Sequence, residues 1–234
     1  MRRVENGVEI LNQPTSAGDR AASLADVERL NAWFGGHALT LRAVARALRH
    51  LPPDRPAWIL DAGAGGGELA IRLVRWARRS GRPIRVIALD RDQDSSRLAR
   101  RAVAEYPEIS VVRGDAVALP VGPGGVDLIV SSLTLHHLSR DAAVGALGEM
   151  ARAGRLGFVV NDLWRARVGV ALVWLATRLL ARHPISRHDG PLSVRRSYSP
   201  DEIRALAAKA RVPRLEVRRY PWLVRVLAVG SHRA

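Results

Sequence analysis

The chain has 234 residues, of which 47% are hydrophobic and 25% are charged, and its formal net charge is +15. This length suits one globular domain with a full core. The absence of cysteine excludes disulfides, thiolate nucleophiles and thiolate metal ligands. No apolar run reaches the roughly 18 residues that span a bilayer, and residues 1–6 have no apolar segment of a signal peptide behind them, so we expect a cytoplasmic protein.

The positive charge is concentrated in the last third of the chain. Residues 151–234 hold 17 Lys and Arg against 5 Asp and Glu, whereas residues 1–150 hold 20 against 17. Such an excess is typical of proteins that meet nucleic acid, anionic membrane surfaces or acidic substrates, and it also follows from a coding bias toward arginine. There is no stretch of interleaved basic and aromatic residues of the kind that binds single-stranded nucleic acid, and no nucleic-acid partner is expected.

The chain before residue 55 is predicted to be helical after a short arm. Residues 1–20 are polar and mixed, which predicts a mobile arm. Apolar residues at helical spacing predict a helix over 24–48, and Gly35-Gly36 breaks it into two pieces. Prolines at 52, 53 and 56 end this region.

From residue 58 onward, apolar runs and helical patterns alternate. The predicted strands are 58–60, 84–89, 109–113, 126–131 and 156–160, and the predicted helices between them are 68–80, 95–105 and 142–151. This alternation predicts an α/β fold, a Rossmann-like doubly wound sheet that is mostly parallel, with helices on both faces.

The last part of the chain closes this sheet. After an insertion, Ser199-Pro200-Asp201-Glu202 forms a capping box that opens a helix over 200–210. Two further strands over 214–220 and 223–229 are predicted to form an antiparallel C-terminal edge, which makes seven strands. We therefore expect a single domain, divided into an N-terminal helical cap (1–54), a core (55–162), an insertion that covers the substrate (163–198) and a closing helix with two strands (199–234).

The most informative motif is the loop from Asp61 to Glu68, which joins the first strand to the first core helix. A strand, a glycine-rich turn and a helix let the backbone approach a small ligand at the carboxyl end of the strand. Asp61 is expected to accept hydrogen bonds from the turn. A dinucleotide site would need a small residue where Glu68 stands, and the phosphate-binding loop with its lysine is absent, since the only lysine is Lys209.

Polar residues also follow the next three strands. Asp90 ends the second strand, Asp115 follows the third and Ser131 ends the fourth. The carboxyl ends of parallel strands meet at one edge of the sheet, so we expect these residues to converge on one crevice.

The pattern Asp-x-Gly-x-Gly-x-Gly resembles the first motif of class I S-adenosylmethionine-dependent methyltransferases, and the resemblance extends over residues 55–162. It implies S-adenosylmethionine as the cofactor, with Asp90 on the ribose hydroxyls, Asp115 on the adenine amino group and the backbone amide of Ala116 on a ring nitrogen. The cofactor-binding residues that it implies are Asp61, Gly63, Gly65, Gly67, Asp90, Arg91, Asp115, Ala116 and Ser131.

Two further segments narrow the resemblance. Residues 126–138 are similar to strand four of the small-molecule methyltransferases of ubiquinone and menaquinone biosynthesis. The flanks, 28–36 and 188–196, resemble bacterial methyltransferases that accompany type III polyketide synthases. After strand four, Ser131-Ser132-Leu133-Thr134 stands where amino-methylating enzymes carry an Asn-Pro-Pro-Tyr-like tetrapeptide. This difference argues against methylation of exocyclic amines on bases.

Methyl transfer to a phenol or enol needs one base, and histidine has a suitable pKa. The candidates are His136, His137, Asp162 and His188. A metal site formed from these four residues matches no recognisable ligand spacing, and no metal is expected.

Residues 164–183 leave three alternatives open. The uncharged stretch 168–177 lies between arginines, and Arg167, Arg178 and Arg182 fall on one helical stripe with Ala171 and Trp174. The segment is interpreted as a lid over an apolar substrate pocket, as a helix on an anionic membrane surface, or as a helix buried against the sheet with snorkelling arginines.

These features together predict methyl transfer to a small apolar acceptor, as O-methylation of a phenolic or quinone-like polyketide in secondary metabolism. The basic last third keeps an RNA methyltransferase as the alternative enzyme. A protein that binds the cofactor without transferring its methyl group is the non-enzymatic alternative.

Overall fold

The computed structural model describes residues 1–49 and 51–232, and these form eight helices, seven strands and three short 3-10 turns. The helices are α1 (Ala17–Trp33), α2 (Gly36–Leu48), α3 (Glu68–Arg79), α4 (Gln93–Ala102), α5 (Arg140–Ala153), α6 (Arg167–Leu180), α7 (Pro184–Arg196) and α8 (Pro200–Lys209). The strands are β1 (Ala57–Ala62), β2 (Ile84–Asp90), β3 (Ile109–Arg113), β4 (Leu128–Ser132), β5 (Gly157–Leu163), β6 (Leu215–Tyr220) and β7 (Arg225–Ser231). The 3-10 turns are Ile10–Asn12, Leu135–His137 and Pro221–Leu223.

The seven strands form one sheet in the order β3-β2-β1-β4-β5-β7-β6. β7 is antiparallel to both of its neighbours, and the other pairs are parallel. The predicted Rossmann-like sheet with an antiparallel C-terminal edge is confirmed. Strand order reverses between β1 and β4, which is where open α/β sheets form a crevice at their carboxyl edge.

The helices cover the sheet as their apolar periodicity requires. In α3, the buried residues recur every three or four positions, so one face packs on the sheet. α2 and α3 bury one face of the sheet, and α5 and α8 bury the other. The predicted capping box is present, with Ser199 and Glu202 bonding to each other's backbone N–H.

The structure changes the predicted limits of two elements that matter for the site. β1 pairs with β2 over its whole length and continues through Asp61 and Ala62, so the acid belongs to the strand rather than to the turn. α1 begins at Ala17, because Ser16 caps it by accepting the N–H of Asp19. The break between α1 and α2 falls at the predicted Gly35-Gly36.

The prediction of a mobile N-terminal arm is wrong. The N–H of Val4 donates to the carbonyl of Arg195, and the N–H groups of Ile10 and Leu11 donate to the two oxygens of Asp189. Asp189 is buried on α7, so its carboxylate needs donors, and the arm supplies them. The arm is therefore part of the fold.

The insertion consists of two helices, α6 and α7, which pack on each other and on α1 over the carboxyl edge of the sheet. Arg182 lies beyond the end of α6, so it is not on the predicted helical stripe. In the described ranges no helix has the length and apolar character needed to cross a membrane. The predicted subdivision of the chain stays a prediction.

Candidate functional site

A cavity of about 340 Å³ lies between the carboxyl ends of the strands and the cap formed by α1, α6 and α7. We call the part over β1, β2 and β3 the glycine-loop half; it is lined by Asp61, Gly63, Gly65, Asp90 and Asp115 among others. We call the part over β4, β5 and β7 the histidine half; it is lined by His136, His137, Leu163, Val173 and Arg225 among others.

The glycines of the loop serve packing as well as access. Gly63 has a φ of +82°, and a Cβ there would lie 2.4 Å from Thr134 Oγ1. Gly67 has a φ of +86°, and a Cβ there would press on Val103 and Ala99. Gly63 and Gly65 line the cavity, whereas Gly67 does not. The third glycine therefore permits close packing of the loop against α4 rather than ligand contact.

Asp90, and not Asp61, accepts the hydrogen bond from the turn. Asp90 Oδ2 accepts from the N–H of Gly65 at 2.8 Å, and Oδ1 accepts from the N–H of Asp92 at 2.9 Å. Burial raises the pKa of Asp90, and these two donors partly offset that effect. Asp90 lines the cavity, and its remaining lone pairs suit the two hydroxyls of a ribose.

Asp61 is buried with an open acceptor. Its Oδ2 has no hydrogen-bond partner among residues 1–49 and 51–232. Burial, together with the nearby Asp90 carboxylate, raises the pKa of Asp61 to about 7. An unpaired buried acid is unfavourable by itself and is relieved by a cationic donor. The ammonium group of S-adenosylmethionine is such a donor, and its sulfonium adds a second positive charge, so the glycine-loop half fits this cofactor.

The other predicted cofactor contacts divide into two groups. Asp115, Ala116 and Arg91 line the cavity as predicted. Ser131 does not: its hydroxyl donates to the carbonyl of Ala62 inside the sheet at 2.8 Å. Ser132 lines the cavity instead, because successive side chains of a strand alternate between its faces.

In the histidine half, His136 and Asp162 form a buried dyad. His136 Nδ1 lies 2.6 Å from Asp162 Oδ1, and the backbone N–H of His136 donates to Asp162 Oδ2 at 3.0 Å. Burial opposes a charge on the ring, but the adjacent Asp162 carboxylate raises the pKa of His136 above its usual value. With Nδ1 held by the carboxylate, Nε2 is the ring nitrogen left to take up a proton. Asp162 itself does not line the cavity.

His137 continues this network toward the N-terminal arm. Its ring lies 4.1 Å from that of His136, and its Nδ1 pairs with Glu9 at 2.8 Å. Burial and the neighbouring His136 lower the pKa of His137. Although Glu9 is buried, its hydrogen bond to His137 lowers its pKa to about 2.

Three of these side chains, Glu9, His136 and His137, place potential metal-ligating atoms within 4.8 Å of one another. One nitrogen of each ring is already paired with a carboxylate, and Arg196 Nε lies 3.5 Å from Glu9. The groups thus balance one another's charges as an ion-pair network, and we assign no metal to it.

His188 does not belong to the site. It lies on α7 with its side chain 55% exposed, pairs with the adjacent Asp189, and does not line the cavity. The structure therefore places the predicted base His188 outside the cavity. Asp189 and Gly190 next to it do line the cavity, since the helix turns them inward.

Arg225 is the most unusual group in the histidine half. It is 4% exposed, and its Nη2 donates to Asn31 Oδ1 at 2.8 Å. Its Nε and Nη1 have no hydrogen-bond partner in the part of the chain that the structure describes. Burial lowers the pKa of Arg225 to about 10, although the Asp162 carboxylate opposes this shift. Arg225 lines the cavity, and the three N–H groups on its two unpaired nitrogens suit an anionic ligand oxygen.

Sequence reasoning missed several residues that line the cavity, namely Glu9, Arg20, Asn31, His37, Ser132 and Arg225. One of them left a signal. Arg225 is a charged residue within the otherwise apolar predicted strand 223–229, and a buried charge in a strand points to a partner or a function.

Comparisons with known proteins agree with this geometry. Residues 59–157 match the family model described as "Methyltransferase domain". Ribosomal RNA small subunit methyltransferase A of Synechococcus sp. (strain JA-3-3Ab) is 36% identical over 170 residues, which are 70% of this chain and 55% of that protein. Malonyl-acyl-carrier-protein O-methyltransferase of Xylella fastidiosa (strain M23) is 36% identical over 93 residues, 39% of this chain and 30% of that protein.

Among solved structures, a putative S-adenosylmethionine-dependent methyltransferase of Methanococcus maripaludis has the same fold. It gives a TM-score of 0.64 at 16% identity, over 94% of this chain and 95% of that one. The chain spans about half the length of the first curated relatives that it matches.

Residues 59–157 thus form a methyltransferase domain, and the fold of the chain is that of class I S-adenosylmethionine-dependent methyltransferases. The predicted family and its cofactor are confirmed at the level of this domain. The roles of the individual site residues stay predictions.

Proposed function

We propose that the protein transfers a methyl group from S-adenosylmethionine to an oxygen of a small, largely apolar acceptor, a phenolic or quinone-like polyketide. The observation that carries this proposal is the histidine half of the cavity, where a buried His–Asp dyad and an open guanidinium lie among apolar walls. The apolar side chains that line it include Phe34, Leu163, Val173, Leu223 and Val224.

The residues of the two halves have separate tasks in this proposal. Asp61, Asp90 and Asp115 hold the cofactor, whose sulfonium supplies an activated methyl group. His136 Nε2 removes the proton of the acceptor hydroxyl, and Asp162 orients the ring and stabilises its charged form. Arg225 holds an anionic oxygen of the acceptor, and water is excluded by the α6–α7 cover.

The pH dependence of the reaction tests the base. Only neutral His136 can accept a proton, so activity is expected to rise as pH passes through its pKa. The Asp162 carboxylate raises that pKa. Asp162→Asn removes the charge, so the rising limb of the rate should move to lower pH, by roughly one unit or more, while the maximal rate falls. An unchanged limb would exclude His136 as the group that titrates.

The acceptor itself is found by incubating the protein with isotopically labelled S-adenosylmethionine and a cell extract, and identifying the labelled product by mass. A labelled phenolic or enolic ether supports the proposal. Tight cofactor binding without product from any extract would favour a protein that binds the cofactor without transferring its methyl group.

A second candidate, RNA methylation, is favoured by the basic last third of the chain and by the ribosomal RNA methyltransferase relative. Phosphate-driven binding falls steeply as salt rises. Labelled RNA in the same assay, together with RNA affinity that weakens steeply between 50 and about 200 mM salt, would overturn the small-molecule proposal.

A further inference from the structure

The outer face of α6 is unusually apolar. Ten large hydrophobic side chains are exposed in the described part of the chain, and five of them lie on this one helix. Val168, Leu172, Leu175 and Leu179 are spaced by four, three and four residues, so they form a single stripe. Leu179 is 73% exposed, which no packing within the domain explains.

Tryptophan and arginine side chains extend and border this apolar stripe. At its C-terminal end, Leu179 and Trp33 of α1 line one shallow groove, and Trp33 is 76% exposed. Beside the stripe, Arg167, Ala171, Trp174 and Arg178 follow with the same spacing. Arg178 lies over the Trp174 ring, 5.3 Å from its centroid. We call this surface, α6 together with Trp33, the α6 face.

The charge around the α6 face is mainly positive, although at its C-terminal end Asp19 and Asp26 of α1 pair with His183 and Arg29. Arg167, Arg178 and Arg182 are exposed, and the ion pairs of the described residues include none of them. The only acid between residues 163 and 196 is Asp189, which is buried on α7 and occupied by the N-terminal arm. The face therefore combines exposed aliphatic and tryptophan side chains with mainly positive charge.

We propose that the α6 face binds the surface of an anionic lipid bilayer. Apolar side chains that enter the headgroup region, with arginines beside them for lipid phosphates, are the chemistry of helices that lie in a membrane interface. Tryptophans such as Trp33 and Trp174 are favoured at that level because they are amphipathic. No spanning segment is needed for this mode of binding.

A second copy of the chain fits this face less well. A two-fold symmetric interface would set Arg167 and Arg178 of one copy against the same residues of the other. Like charges placed together without an acid oppose such an interface. An anionic bilayer meets the same arginines with phosphate.

The inner face of α6 connects this surface with the cavity. Val173 and Ala176 line the cavity, while Leu172 and Leu175 on neighbouring turns are exposed. If α6 lies in the bilayer surface, the same helix also forms one wall of the cavity. An apolar acceptor dissolved in the lipid would then enter the cavity next to α6. The membrane contact does not depend on which acceptor is methylated.

The proposal is tested by co-sedimentation of the full chain with vesicles of phosphatidylglycerol and phosphatidylcholine, and with vesicles of phosphatidylcholine alone. We expect binding to the anionic vesicles that weakens as salt rises, and little binding to the neutral ones. Removing three arginines in Arg167→Gln/Arg178→Gln/Arg182→Gln should weaken binding by roughly fivefold for each arginine. The matched control is Arg79→Gln/Arg100→Gln/Arg101→Gln, which removes three exposed arginines from α3 and α4 and should bind as the parent does.

A second pair of variants tests the contribution of the apolar side chains of the α6 face. Leu175→Asp/Leu179→Asp should abolish vesicle binding and leave the affinity for S-adenosylhomocysteine unchanged, since neither residue lines the cavity. Leu175→Ile/Leu179→Ile should retain both. Absence of binding by the parent protein, or equal binding by all variants, would overturn the proposal. A concentration-dependent dimer that the Asp variant abolishes would assign the face to a second copy, and retention on polyglutamate without vesicle binding would assign it to an acidic protein.

Discussion

In the glycine-loop half of the cavity, each acid stands at or just beyond the end of the strand that carries it. The histidine half takes its polar lining from Glu9, His136 and Arg225, with Asp162 paired to His136 behind it. The first half needs only three parallel strands in register. The second needs the arm, the turn after β4, the end of β5 and the start of β7 to meet. A ligand site can thus combine a locally encoded part with a part that exists only in the complete fold.

If the two halves act separately, His136→Gln should affect chemistry alone. We expect methyl transfer to fall by roughly 10²- to 10⁴-fold, because the acceptor loses its base. The dissociation constant for S-adenosylhomocysteine, measured by calorimetry, should stay unchanged. His188→Gln, on the exposed side of α7, is the matched control and should retain full activity. A large loss of cofactor affinity in His136→Gln would break the separation.

The converse variant is Asp90→Asn in the glycine-loop half. Replacing a carboxylate that accepts from Gly65 and faces the ribose should weaken cofactor binding by roughly 10- to 100-fold. Equilibrium titration measures this effect, and Asp94→Asn, on the first turn of α4 outside the cavity, is the control. Equal affinities in both variants would contradict the assignment of Asp90.

Arg225→Met tests whether the histidine half binds the acceptor independently of the cofactor. The KM for the acceptor should rise about tenfold, because the open guanidinium no longer binds its anionic oxygen. Cofactor affinity should not change. The temperature of thermal unfolding should change little, since removing an incompletely paired buried cation offsets the loss of its hydrogen bond to Asn31 Oδ1. Arg218→Met on β6 is the exposed control, and a parallel loss of stability and cofactor binding would show that Arg225 is only structural.

The smallest expected effect is a pH dependence of cofactor affinity that arises in the glycine-loop half alone. The pKa of Asp61 is about 7 without a ligand, and a bound cation holds the carboxylate ionised. The affinity for S-adenosylhomocysteine should therefore fall as pH falls, by roughly eightfold between pH 7.5 and 6. Asp61→Asn should bind more weakly at pH 7.5 and show a flat profile. A profile that keeps its slope in this variant would assign the titration to another group.

The sequence predicted the sheet and the glycine-loop half well, because both depend on short-range patterns. Strand periodicity and the loop composition placed Asp61, Asp90 and Asp115 at one edge. The alternation of side chains was misjudged by one position at Ser131. His188 lies on the exposed side of α7, a helix that the sequence analysis did not predict. Glu9 could not be found, since His137, Ser193 and Arg196, with which it pairs, lie at least 128 residues away in the sequence. The sequence shows Arg225 as a charge inside an apolar strand, but it does not show which residues surround that charge in the fold.

The position of β7 has a consequence for folding. β7 is the last strand in the chain, yet it lies between β5 and β6, and it carries Arg225 into the cavity. The pairing of Glu9 with His137 likewise joins distant parts of the chain. Contacts of such long sequence separation form slowly because their loop-closure entropy must be met first. During folding, a chain whose glycine-loop half is complete would bind the cofactor before the histidine half is able to support methyl transfer. Cofactor binding would then show that the core is native, and turnover would show that the whole fold is complete.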